Sequence, residues 1–317
     1  MLRYMRQSFN GVNLFDNSHN HWCFTDWAEK LNGNTPQSYA ATDLYTCLAV
    51  RRAVFLLCAM GDTTDARYWA RWDNRIIQAA RTHLVNPKTD TYTSLRQVNA
   101  MAIDSGVATA EQRRAIALKI LGPYCASWKE IASPYYNNFV IFALGHLGRT
   151  DQDMRFVQKY WGGMLREGAT TFWEAYDNSW PKRHFHRYLM ADNGQGYFVS
   201  LCHGWSCGVT NWLTQYVLGV NATRGGFGTA TIVPHLGTLH WADGEVPTPH
   251  GNIILRIQKT GLSQSMRITL PGGIHAIIGL SGHVIQINGH AAKIYKRGAR
   301  HSYSRLDQRG VWTIRSR

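Results

Sequence analysis

The sequence predicts a mainly α protein with a C-terminal all-β domain, and three observations carry that prediction. From Ser38 onward, apolar residues recur at helical spacing in successive segments separated by short turns rich in Gly, Asp and Thr. After Gly225-Gly-Phe-Gly228 the pattern changes to short apolar runs broken by Gly, Pro and Asn. No strand pattern falls between the helical segments, which disfavours a parallel α/β sheet. The expected domains are residues 1–225, a region of helical hairpins, and residues 226–317, a small β-sandwich.

Taken in order, residues 1–36 read as irregular, with many Asn and a Trp22/Trp27 pair. Ser38–Met60 places Leu44, Leu48, Val50, Val54, Leu57 and Met60 on or near one helix face. Gly61-Asp-Thr-Thr64 closes it and starts Asp65–Leu84, an antiparallel partner joined by a tight turn. Helices are further expected at Thr93–Asp104, Ala110–Leu121, Asn137–Leu147, Gln152–Arg166 and Gly204–Val220, seven in all. The strand candidates are Thr231–Val233, Ile253–Ile257, Ser265–Leu270, Ala276–Ile278, Val284–Ile287 and Gly310–Ile314, with Asn288-Gly289 as a hairpin turn.

Composition narrows the function classes. The 317 residues are 44% hydrophobic and 17% charged, the balance of an ordinary folded chain. Twelve Trp and fifteen Tyr suit either a ring-rich core or a cleft lined for carbohydrate. The net charge of +14, densest in Lys293-Ile-Tyr-Lys-Arg-Gly-Ala-Arg300, invites an anionic partner, but no nucleic-acid-binding signature accompanies it, so it reads as a solvated surface. Neither a signal peptide nor an apolar run long enough to span a membrane is seen, and a cytoplasmic, soluble protein is expected. The six cysteines show no metal spacing, with Cys47 and Cys58 read as buried thiols in helical pattern. No cofactor and no metal are expected. His184 and His186 lack a carboxylate or thiolate at helpful spacing.

Chemistry concentrates in two stretches, Gly168-Ala-Thr-Thr-Phe-Trp-Glu174 and Ser200-Leu-Cys-His-Gly-Trp-Ser206. Together they offer a carboxylate, an imidazole and several indoles. Aromatic faces stack on the C–H surfaces of pyranoses, and a carboxylate activates water or stabilises an oxocarbenium-like transition state. Glu174 admits two readings on residue type alone, a catalytic carboxylate or the partner of a neighbouring Arg. Trp173 and Trp205 are either stacking walls or packing rings.

These stretches, with Trp161-Gly-Gly-Met-Leu165 and Trp241-Ala-Asp-Gly-Glu-Val-Pro-Thr-Pro-His-Gly251, resemble the bacterial α-L-rhamnosidases of glycoside hydrolase family 78. The resemblance runs from about Phe24 to the C-terminus and is densest over 161–251. It implies a partial (α/α)6 six-hairpin barrel followed by a β-sandwich, and inverting hydrolysis of terminal α-L-rhamnose from glycosides or polysaccharides. It places the general base on Glu174 and sugar contacts on His203, Trp205, Trp173, Trp27 and Asp26. Asp177 would orient the base or cap a turn. The family's general acid sits in an acidic motif well upstream of the Asp-Trp segment, whereas the 25 residues before Asp26 contain one carboxylate, Asp16, and no such motif. The expectation is therefore a base without its acid, completed by a missing N-terminal half or a second copy. The alternative is a non-catalytic carbohydrate-binding remnant.

Overall fold

The computed structural model describes residues 1–18, 22–28, 30–122, 133–148, 150–176, 200–282, 285–298 and 301–316. The segment from Trp180 to Phe198 with His184 and His186, together with Asp177 and Cys125, lies outside them. The chain forms two compact units, Met1–Gly208 and Val209–Arg317.

The first unit is helical. Residues expected to be irregular contain a short helix, α1 (Leu2–Gln7). Helix α2 (Pro36–Ala59) begins where Thr35 accepts a hydrogen bond from the Ser38 amide and Pro36 supplies the first-turn φ. Gly61, at φ +82°, turns the chain, and Asp62 caps α3 (Thr63–His83) through the Asp65 amide. The α2/α3 hairpin buries Leu44, Cys47 and Val50 on one helix and Trp69, Trp72 and Ile76 on the other. Arg51 Nε donates to Asp73 across it at 2.9 Å.

Helix α4 (Arg96–Asp104) starts three residues later than its pattern suggested. Thr93 and Ser94 precede it because the Thr93 hydroxyl accepts the Leu95 amide and its carbonyl accepts Asn99 Nδ2. Helix α5 (Ala110–Ile116) opens on a capping box, Thr109 with Gln112, and runs into a wider π turn at Ala117–Leu121. Helix α6 (Pro134–His146) is buried on almost every side and packs on α4 and on α7 (Thr150–Arg166).

Cys47 is buried as expected, but Cys58 is exposed. The last turns of α2 carry apolar residues that nothing among the described residues covers, so Phe55, Leu56 and Met60 are exposed beside it. Burial raises the Cys47 thiol well above its ordinary range. In the native chain a disulfide-exchange reagent is expected to consume Cys58, Cys202 and Cys207 rapidly, and Cys47 and Cys23 only after unfolding. Fast labelling of Cys47, read by peptide mass, would contradict the packing of α2 on α3.

The boundary between the units falls after the first residue of α8 (Gly208–Trp212), which is followed by a π turn at Leu213–Val217 and then strands. The continuous helix expected over 204–220 is therefore broken. Gly204–Ser206 is a separate 3-10 turn, and Gly219, at φ +71°, sits where a Cβ would collide with the Val233 carbonyl. Eleven described strands make two sheets. One runs β1 (Val220–Ala222), β2 (Thr229–Ile232), β6 (His275–Ser281), β10 (His301–Leu306) and β9 (Lys296–Arg297), with β2 and β6 parallel. The other runs β3 (Trp241–Val246), β4 (Ile253–Thr260), β5 (Ser263–Leu270), β11 (Gly310–Ser316), β7 (Ile285–Ile287) and β8 (His290–Ala291), all antiparallel. Ile232, Ile278, Leu280 and Leu306 face Leu255, Ile257, Met266, Ile268 and Ile314 in the sandwich core. Asn288 and Gly289, both at positive φ, form the two-residue turn between β7 and β8.

Strands β1, β3, β8, β9 and β10 had not been expected. β3 turns Trp241, Asp243 and Glu245 outward, and two of the three buried positions of β10 are serines, so neither shows an apolar run along the chain.

Candidate active site

The Glu174 segment and the His203 segment meet inside the first unit as two extended pieces running in opposite directions. The Glu174 amide donates to the Ser200 carbonyl at 2.9 Å and the His203 amide to the Phe172 carbonyl at 2.8 Å. The Thr171 hydroxyl adds a bond to the Leu201 carbonyl. This ladder brings residues 29 positions apart to one place, as their sequence stretches implied. Glu174 Oε2 accepts the Ser200 amide at 2.9 Å and lies 3.9 Å from His203 Nδ1. The carboxylate side chain is 17% exposed and the imidazole 32%. Both are open to a small ligand while held from behind.

A second set of bonds fixes the backbone under the carboxylate. Trp205 Nε1 donates to the Glu174 carbonyl at 3.0 Å. The buried Ser206 hydroxyl donates to the Trp173 carbonyl at 2.6 Å, and Trp161 Nε1 donates to the Ser206 carbonyl at 3.2 Å. Ser206→Ala leaves the Trp173 carbonyl without that donor and is expected to cost about 1–3 kcal/mol. Denaturant titration checks this, and an unchanged midpoint would mean that water takes over the bond.

Trp205 is half-buried, sits 4.6 Å from the His203 ring and stacks on Tyr135 at 5.5 Å with a 22° tilt. Asn138 Nδ2 donates to the Trp205 carbonyl at 3.1 Å. Trp173 is 4% exposed and packs near Tyr176, so its ring contributes to the interior behind Glu174. Glu174, His203, Trp205 and Trp173 thus form one cluster.

Asp26 connects to that cluster through Ser133 and the neighbouring Tyr135, whereas the ring contact of Trp27 is with Phe24. Asp26 is fully buried and accepts a hydrogen bond from the Ser133 hydroxyl, which also caps α6 at the Tyr136 amide. Burial pushes its carboxyl up to about 6, against the lowering effect of Ser133 and of nearby backbone amides. Asp26 therefore holds the turn that presents Tyr135 to Trp205, and its side chain is not at the surface. Trp27 is 53% exposed and lies 4.8 Å from Phe24, which packs on Trp22. Tyr135 was not singled out from the sequence. Its only signal was Ser133-Pro-Tyr-Tyr136, a capped helix start.

The cluster thus holds a carboxylate bonded to the Ser200 amide, an adjacent imidazole and a half-buried indole on a helical-hairpin scaffold. Comparison with known proteins makes the assignment specific. The family described as bacterial alpha-L-rhamnosidase 6 hairpin glycosidase domain matches residues 1–217, and the bacterial alpha-L-rhamnosidase C-terminal domain matches residues 219–292. The chain belongs to the bacterial α-L-rhamnosidase six-hairpin glycosidase family. An alpha-L-rhamnosidase of Alteromonas sp. (strain LOR) is 32% identical over 138 residues, covering 42% of this chain and 14% of that protein. The structure of a Streptomyces avermitilis alpha-L-rhamnosidase complexed with L-rhamnose matches with a TM-score of 0.81 at 16% identity, covering 100% of this chain and 30% of that one. That of the Dictyoglumus thermophilum enzyme matches at 0.77 and 16%, covering 93% and 34%. The chain thus spans about a third of the length of these solved structures. Both likenesses support the expected fold, a helical-hairpin region followed by a β domain. Among the described residues no helix is long and apolar enough to cross a membrane.

Proposed function

We propose that the chain carries the water-activating half of an inverting α-L-rhamnosidase site. Glu174 is the general base, His203 and Trp205 bind the rhamnose ring, Trp27 forms an outer aromatic contact, and Trp173 and Asp26 position them. The observation that carries this reading is the Glu174–His203 pair, its carboxylate oriented by the Ser200 amide and floored by Trp205. In an inverting reaction the base takes a proton from water on the face opposite the leaving group, while an acid about 6.5–9.5 Å away protonates the glycosidic oxygen. His203, beside Glu174, is placed to donate to a ring hydroxyl or to the attacking water. The acid is assigned to the remainder of a full-length enzyme or to a second copy of this chain. The rhamnose bound in the Streptomyces relative and the family match support a rhamnoside substrate.

The test is hydrolysis of a chromogenic α-L-rhamnoside by the purified chain, alone and mixed with the catalytic portion of a relative that lacks the matching segment, alongside L-rhamnose binding by calorimetry. Turnover with initial release of the inverted anomer supports the proposal. A folded chain that binds L-rhamnose but never turns over in the mixture is the binding remnant instead. One that does neither rules out both readings.

A further inference from the structure

The outer face of the six-stranded sheet carries an arrangement that the rhamnoside site does not use. Along β3, β4, β5 and β11 the buried positions alternate with outward ones, so Trp241, Asp243, Glu245, Arg256, Gln258, Ser265, Arg267 and Arg315 share the solvent side. The register sets them in two rows. Trp241 lies opposite Gln258, Gln258 opposite Ser265, and Ser265 opposite Arg315. In the next row Asp243 lies opposite Arg256, and Arg256 opposite Arg267. Four strands place the ends of a row about 14 Å apart.

Two features of this face suit a ligand. Trp241 is 62% exposed on an open sheet, with amide and hydroxyl side chains beside it rather than apolar neighbours. Arg256 and Arg267 are directly opposed, a like-charge pairing that weakens a sheet. Asp243 meets Arg256 at 3.2 Å, but among the described residues no carboxylate lies within ion-pair distance of Arg267 or Arg315. Glu245, the other acid on the face, accepts from the Asn252 amide.

We propose that this face binds a linear acidic polysaccharide, with Trp241 stacking on one pyranose and Arg267 and Arg315 holding the carboxylates of other units. Pyranoses present flat C–H faces to an indole, while Gln258 and Ser265 offer hydrogen bonds to hydroxyls. Guanidinium forks match carboxylates in two-bond geometry. Strand-to-strand steps are close to the length of one sugar unit, so a chain lying across the strands between the two rows meets a residue of one row or the other at each step. A single-stranded nucleic acid also offers rings and anions. The glycan is favoured because the same chain carries a glycosidase-family site, and in that respect the choice rests on the proposed function.

Binding of the full chain to polygalacturonate, dextran and oligodeoxythymidylate at physiological salt tests the proposal, with affinity electrophoresis and tryptophan fluorescence as readouts. Polygalacturonate is expected to bind and quench, and dextran to pass unretarded. Trp241→Ala and Arg267→Gln should each weaken binding about 5- to 10-fold. Both sites are exposed, so neither variant should lower the melting temperature, and Arg267→Gln should raise it slightly by removing the opposed charge. Retention that both variants leave unchanged would overturn the proposal, as would no binding of polygalacturonate, or tighter binding of the oligonucleotide. Rhamnose binding at Glu174 is measured on the same variants. Its loss in the unsubstituted chain would count against the glycosidase reading without touching the polygalacturonate result.

Discussion

Replacing Glu174 by glutamine is expected to lower kcat on an α-L-rhamnoside by about 10²–10⁴-fold while leaving the fold and rhamnose affinity nearly intact. The amide oxygen of Gln still accepts the Ser200 N–H, and the backbone bonds at Ser200 and Trp205 do not involve the side chain. The substitution therefore removes proton affinity and little else. The measurement is made on whichever preparation hydrolyses the substrate, the chain alone or the mixture. A merely structural Glu174 would instead give a lowered melting temperature with kcat retained in the folded fraction. Retained kcat in the glutamine variant would remove Glu174 from the mechanism.

The second large effect is an opposite pH response of the two units. In the first unit, burial raises the carboxyls of Asp26 and Asp104 to about 6, Asp43 to about 7 and Asp153 to about 8. Asp104 is helped back down by His146 at 3.0 Å, and Asp43 by the Phe15 amide at 2.7 Å. An acid whose folded pKa lies above its unfolded value destabilises the fold as pH rises between the two values. Below about pH 4 both states are protonated and the penalty is absent. Lowering the pH from 8 to 5 should therefore stabilise the helical unit.

In the second unit, burial and the neighbouring His301 lower His235 to about 4. That contribution to stability is present above the ordinary histidine pKa and is lost as pH falls from about 6.5 toward 4. Calorimetry should show two transitions, the helical one moving up by about 5 °C or more and the β one moving down over the same interval. Asp153→Asn should raise the helical transition at pH 8 and flatten its pH dependence, because Asp153 is fully buried and carries the largest shift. Two transitions that fall together on acidification would mean that these carboxyls are charged and paired in the folded chain.

Much of this protein was legible along the chain. Most helices of the first unit announced themselves through a cap or an apolar face. Thr35, Asp62, Thr109 and Ser133 supply side chains to orphan amides, and within α2 and α3 Leu44 and Cys47, and Trp69, Trp72 and Ile76, recur at the spacing that buries them. The Glu stretch and the His-Gly-Trp stretch both stood out along the chain, and the structure brings them into contact. Edge strands were not legible. β3 shows Trp, Asp and Glu outward and has only Ala242 and Val246 buried, so its pattern is set by what it pairs with rather than by its own apolar content.

The sequence by itself determined most of the helices and the change from helix to strand, because caps, turns and hydrophobic period act over a few neighbouring positions. Only the tertiary structure decided which side of a residue meets solvent. It buried Asp26 and Trp173, exposed Cys58 and Trp241, seated Tyr135 under Trp205 and set Arg256 against Arg267. Those outcomes depend on partners tens to more than a hundred residues away, such as Ser133 for Asp26, and no local pattern encodes a contact whose other half lies that far along the chain.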